Sequence, residues 1–233
     1  MAQFKYINPL ASADGWLNVR NASGEVVAVP AWLQVRVDDQ KDGRTNFTFM
    51  EGSVPSRGIA AGKKGSVKTI EPKTGLPTLV DNPRDRRNEE GLIFVDLDDK
   101  VRIVEGFTML VGKLWMGARS GNASRGPYEV RMEVGDLPGG LAPGNEAWSA
   151  LGLPDWAHDG NYPALWDTAW FPIYTGEANI RNLDNKAHYL HCGKYSSGCL
   201  SVDPNHWDTV YEYLIHRRKG PTRVGAVHIR YKK

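Results

Sequence analysis

The chain has 233 residues, a net charge of +2 and 41% hydrophobic side chains, enough for one large or two small domains with a filled core. Its lysines and arginines are scattered among acids, which excludes a dedicated nucleic-acid footprint, and no run of about 18 apolar residues offers a membrane span. Residues Met1-Ala2-Gln3-Phe4-Lys5 open the chain without the basic region, apolar core or cleavage site of a secretory leader, so the expectation is cytoplasmic synthesis without a cleaved signal.

Short alternating segments dominate in chain order: 16–20, 26–37, 46–50, 92–97, 107–116, 128–134, 169–174, 186–191 and 224–231. Period-two alternation rich in β-branched and aromatic residues predicts strands. One helix is predicted over 204–218. Asp203 is its N-cap and Pro204 suits the first turn. Trp207, Val210, Tyr211 and Leu214 form its apolar stripe, and Gly220-Pro221 stops it. The predicted class is mainly β with minor α.

The stretch 52–87 is rich in Gly, Pro, Lys and Arg and reads as a long solvated loop or a partner-binding arm. Within it, 58–66 lacks the spacing of a phosphate loop. Asp96, Asp98 and Asp99 lack the glycine and distal glutamate of a calcium loop, and a hairpin turn is expected there. Three Asn-x-Ser/Thr triplets, at Asn21, Asn46 and Asn122, carry little meaning without a leader. No cofactor is expected.

Both cysteines and two of the six histidines fall between His188 and Leu200: His188-Tyr189-Leu190-His191-Cys192-Gly193-Lys194-Tyr195-Ser196-Ser197-Gly198-Cys199-Leu200. A thiol needs a nearby base to act as a nucleophile at neutral pH, and imidazole titrates there. On a strand, Tyr189 and His191 share one face and His188 and Leu190 the other. A tight loop would return the chain to Gly198-Cys199, where two successive backbone amides form an oxyanion pocket. The alternatives are a buried structural thiol beside a packed histidine, a Cys192–Cys199 disulfide, and a zinc site. Disulfides are uncommon in leaderless proteins, and the four zinc candidates His188, His191, Cys192 and Cys199 alternate between strand faces, so no metal is expected.

This segment resembles the signature of the L,D-transpeptidases (YkuD-type), Ile-His-Gly on a strand, a loop, then Ser/Thr-x-Gly-Cys-Ile/Val before a helix. Leu190-His191 matches the first element and Ser196-Ser197-Gly198-Cys199-Leu200 the second. Upstream, residues 117–130 are similar to the family's Ser/Thr-Gly turn and Gly-x-Tyr strand. The resemblance spans about residues 105 to 218 and implies an L,D-transpeptidase-like β-sandwich or barrel over 105–233. Residues 1–104 are then an N-terminal β-rich region for docking or delivery.

The resemblance implies that Cys199 attacks a carbonyl of a peptidoglycan stem peptide, forming an acyl-enzyme thioester. His191 would be the base, with His188 as the alternative base. Ser196 would brace the turn or the histidine, and the Gly198 and Cys199 amides would hold the oxyanion. Tyr189, Trp170 and Ser197 would contact substrate. From their positions in the chain, Trp148, Trp156, Trp166 and Trp170 flank the expected site, as a groove for glycan or peptide or, more commonly for tryptophan, as core residues. An amine acceptor gives transpeptidation or D-amino-acid exchange; water gives L,D-carboxypeptidase activity.

The chain departs from the family's pattern in four places. Cys192 replaces a glycine, Ser197 a frequent His or Arg, and Ser201 an Arg or Asn used in substrate recognition, and the step from His191 to Cys199 is short. Compact variants of this kind occur among antagonistic effectors and phage-related relatives. Such an effector would act in the periplasm after non-classical delivery and meet a secretion apparatus or an immunity protein. The competing reading is a non-catalytic phage or wall-binding protein with a degenerate site. An amidase-type cysteine peptidase would place its cysteine before its histidine, opposite to the order here.

Overall fold

The computed structural model describes residues 2–12, 14–52, 57–134, 141–157, 160–175, 188–195 and 198–232. Ser196, Ser197 and the side chains of Asp99 and Trp156 lie outside the described residues. The class is mainly β with one helix among the described residues.

Alternation builds the first sheet. In β2 (Trp16–Asn21), Leu17 and Val19 are buried while Asn18 and Arg20 face solvent. The other strands are β1 (Gln3–Ile7), β3 (Val26–Pro30), β4 (Gln34–Lys41), β5 (Arg44–Phe49), β6 (Lys64–Lys68) and β7 (Leu79–Val80). They lie in the order β3-β2-β6-β5-β4-β1-β7. The apolar side is filled by fully buried Phe47 and Phe49, whose rings meet edge to face at 5.1 Å.

The second sheet comprises β8 (Gly91–Val104), β9 (Phe107–Met116), β10 (Arg125–Glu133), β11 (Glu146–Gly152), β12 (Trp156–Ala157), β13 (Ala169–Tyr174), β14 (His188–Cys192), β15 (Leu200–Val202) and β16 (Arg223–Tyr231). Its order is β11-β16-β8-β9-β10-β15-β14-β13, and β13 pairs back onto β11, closing a barrel with β12 attached to β13. Closure removes the unpaired edges that an open sheet of this width would present. Interior positions such as Val95, Leu114, Val130, Phe171, Leu190 and Val227 belong to one buried cluster. The helix α1 (Pro204–Ile215) joins that cluster through Trp207, Val210, Tyr211 and Leu214, with the Trp207 and Phe171 ring centroids 6.0 Å apart.

A buried ion network bolts the two sheets together. Glu51, just beyond β5, receives Arg218 Nε at 2.7 Å and Arg87 Nη1 at 2.6 Å. Burial opposes a charged Glu51, but the two guanidiniums outweigh it and hold its carboxyl down to about 2.

Several expectations change. The segment 26–37 breaks after Pro30, where Trp32 adopts φ 64° and turns the chain from β3 into β4. The stretch 52–87 is no simple loop, because β6 sits between β2 and β5. Its Gly65 is required there: a Cβ would lie 2.7 Å from the Phe47 ring. No hairpin turn forms at Asp96 and Asp98. Strand β8 runs through them with a register shift between Leu97 and Val101, and Asp96 is buried. The helix ends at Ile215 rather than 218, because Arg217 and Arg218 leave it to reach Glu89 and Glu51. Sheet membership changes between Val80 and Gly91, whereas the expected boundary at 104/105 falls in the turn between paired β8 and β9. Among the described residues no helix is long and apolar enough to cross a membrane.

Candidate active site

Strand β14 carries the site because its two faces have different neighbours. Leu190 and Cys192 point into the buried cluster, so Tyr189 and His191 point to the outer wall. Strand β15 repeats the pattern: Leu200 and Val202 go inward, leaving Ser201 outward. The two strands are parallel, with Leu190 opposite Leu200, His191 opposite Ser201 and Cys192 opposite Val202. Strand β15 is therefore not the return strand of a hairpin, although only seven residues separate it from β14. Parallel neighbours normally need a longer crossover. Gly198, at φ 73°, supplies a backbone conformation that side chains rarely adopt.

Cys199 immediately precedes β15, one position before the Leu190–Leu200 pair. Burial, then the Asp155 carboxylate and then Cys199, raises the Tyr189 hydroxyl above its usual range, which places both groups in its surroundings.

The His191 ring is fixed from three sides. Its Nδ1 lies 2.7 Å from the Cys192 carbonyl oxygen. A carbonyl only accepts, so Nδ1 donates and the neutral ring keeps its lone pair on Nε2. That Nε2 meets Ser201 Oγ at 3.4 Å, a long hydrogen-bond distance. Trp170 stacks on the ring with centroids 4.0 Å apart at 19°. Ser201 has no exposed surface, so it is a brace and not a nucleophile.

His188 sits on the other face, where its Nδ1 donates to the Gly198 carbonyl. In a trans peptide the N–H points away from the C=O, so this bond turns the Cys199 amide away from His188. Arg131, opposite Ser201 in β10, donates to the Lys194 carbonyl at 3.1 Å and ties the returning loop to the wall.

The two cysteines differ sharply. Both are free thiols. Cys192 lies in the core, where burial and then the carboxylates of Asp167, Asp208 and Asp203 push its thiol up to about 12. Cys199 is also buried, keeping 7% of its surface exposed, but it lies outside that core cluster, just before β15. Cys192 pairs with Val202, three residues along from Cys199, or roughly 10 Å at strand rise. That exceeds the span a disulfide bridges.

The contacts set Trp170 and Ser201 on His191 and His188 on Gly198, and place Cys199 among the groups around Tyr189. Of the other expected groove residues, Trp166 is buried against Tyr211 at 5.1 Å, and Trp148 stands on β11 beside β16. Ser201, Asp155 and Arg131 are the neighbours that sequence reading gave no such role. Ser201 was legible from the alternation Leu200-Ser201-Val202; Asp155, in a Pro-containing connection, carried no signal. Among the described residues, no group of three or more His, Cys, Asp or Glu side chains is arranged to hold a metal. Comparison with protein-family models, with curated proteins and with solved structures finds no match in any of the three.

Proposed function

We propose that this chain is a peptidoglycan-modifying cysteine enzyme of the L,D-transpeptidase type, acting on the stem peptide through a thioester on Cys199. The observation that carries the reading is the tautomer of His191. Its Nδ1–H is held by the Cys192 carbonyl, leaving the Nε2 lone pair toward Ser201 on β15, the strand that Cys199 immediately precedes. A backbone carbonyl in that orienting position is also what the family resemblance implies.

In the forward step His191 takes the Cys199 proton as the sulfur attacks the stem carbonyl, and the new C–S bond forms. The Gly198 and Cys199 amides face the developing oxyanion, with His188 fixing the peptide between them through the Gly198 carbonyl. The C–N bond then breaks, and His191 returns its proton to the departing D-amino acid. An incoming amine, or water, attacks the thioester and releases Cys199. His188 is read here as a positioning residue, because its Nδ1 is engaged; Ser201 and Trp170 position His191. Such an enzyme works in the wall compartment, as an antagonistic effector or a phage-related protein.

The test is incubation of the full chain with disaccharide-tetrapeptide muropeptides, followed by mass spectrometry. Loss of the terminal D-alanine, D-amino-acid exchange or crosslinked dimers supports the reading, provided that Cys199→Ala abolishes them. Binding without product would favour the inert wall-binding module, and product from Cys199→Ala would overturn the mechanism.

A further inference from the structure

Across the barrel from Cys199, the outer wall carries an aromatic row. Trp148 on β11 pairs with His228 on β16, His228 with Phe94 on β8, and Phe94 with Trp115 on β9. These positions alternate with core residues, so their side chains share the outer face. Trp148 is 55% exposed, and its large ring offers an amphipathic face to solvent.

That ring is also held in place. His228 lies under it at 4.5 Å, and the Phe94 ring meets it edge-on at 5.8 Å. Arg119 covers Phe94 at 4.9 Å, donates from Nη2 to His228 Nδ1 at 2.7 Å, and donates from Nε to the buried Asp96 at 3.0 Å. Since Nδ1 of His228 accepts, its Nε2 faces Glu146 Oε2 at 3.6 Å. Burial, and then Arg119, lowers the His228 pKa. The result is a rigid exposed indole, preorganised at no ordering cost on binding.

The polar groups beside the ring indicate its occupant. Arg230 and Lys232 pair with Asp96, as Arg119 does. Glu146, largely exposed beside His228, is an acceptor, and the partly exposed Arg119 guanidinium on the other nitrogen of His228 is a donor. A hydroxyl group donates and accepts at once and suits both. A polyanion would meet Glu146, and a polycation would meet the three cations. The apolar face of a pyranose ring carries C–H bonds of partial positive charge, matching the negative face of an indole.

We propose that the Trp148 face is a binding platform for a neutral polysaccharide chain, with Trp148 stacking on a sugar ring and Arg119 and Glu146 bonding its hydroxyls. Sugar binding here does not depend on chemistry at Cys199. Because β11 pairs with β13, which carries Trp170, a polymer bearing both sugars and peptides would engage both faces; that extension rests on the reading of Cys199.

The test is retention of the full chain on chitin, on cellulose and on heparin beads at physiological salt, free of any stem peptide. Retention on chitin or cellulose is expected, falling at least about tenfold in Trp148→Ala and recovering in Trp148→Tyr. Unchanged thermal unfolding of both variants separates lost binding from lost fold. No retention on either neutral polymer, retention on heparin alone, or wild-type retention by Trp148→Ala would each overturn the proposal. Muropeptide turnover by Cys199 would stand in all three cases.

Discussion

The two halves of the barrel wall share one interior and differ on the outside. Strands β13, β14, β15 and β10 turn Trp170, His191, Ser201 and Arg131 outward, a polar set locked by short-range hydrogen bonds. Strands β11, β16, β8 and β9 turn out Trp148, His228, Phe94 and Trp115, an aromatic set braced by ion pairs through Asp96. Inward residues of both halves belong to the same apolar cluster. Alternation therefore frees every second residue for chemistry without touching the core. The two cysteines show the same division within one half: Cys192 belongs to the core cluster and Cys199, though buried, does not.

The comparison is broken most completely at Cys199. Cys199→Ala should abolish muropeptide turnover, whereas Cys192→Ala, far from the reacting atoms, should stay within about threefold; mass spectrometry of products reads both. His191→Asn should follow, with a loss on the order of 10²–10⁴ in turnover and the fold retained by circular dichroism. Ser201→Ala should cost less, because the hydroxyl braces Nε2 only at 3.4 Å. Neither change should alter retention on chitin.

Stability sharpens the contrast. Glu51→Ala leaves Arg218 buried without its carboxylate, and denaturant unfolding should show a loss of about 3–5 kcal/mol. Acid should act on the same bolt and on the aromatic half. Glu51 is held down to about 2 by Arg218 and Arg87 against the cost of burial. Asp96 is held at about 2 by Arg230, Lys232 and Arg119 against the same cost. A depressed folded value stabilises fully above the ordinary carboxylate range and is lost as pH falls from about 4 toward 2. Melting temperature should therefore drop steeply in that window. Trp148 emission should shift in the same window as Asp96 releases Arg119, and Glu51→Gln should keep the emission shift while losing part of the drop in melting temperature.

Much of this architecture was legible in the chain itself. Strands are found at 92–97, 107–116 and 169–174, with burial following period two from Leu110 to Met116, and Asp203-Pro204 marks the helix start as expected. The strand β6 was hidden because Lys64-Gly65-Ser66-Val67-Lys68 has one apolar side chain and a glycine whose reason is the Phe47 ring on a neighbouring strand. At the candidate site, spacing singled out Cys199 and His191, and the placement of His191 on β14 just ahead of β15 agrees with the strand expected there. The parallel register of β14 and β15 was not legible, since a seven-residue link ordinarily signals a hairpin. Ser201 and Asp155 reach the site only through that register and through the connection after β11, which are long-range facts that no local pattern encodes.

The central claim is that His191 makes Cys199 reactive while Cys192 stays inert, and site-resolved alkylation measures it directly. The folded chain is treated with iodoacetamide at neutral pH, and labelling of each cysteine is followed over time by peptide mass spectrometry. The account predicts fast labelling of Cys199, negligible labelling of Cys192, and about tenfold or greater slowing at Cys199 in His191→Asn. Labelling of Cys199 no faster than Cys192, or a rate unchanged by His191→Asn, would contradict it.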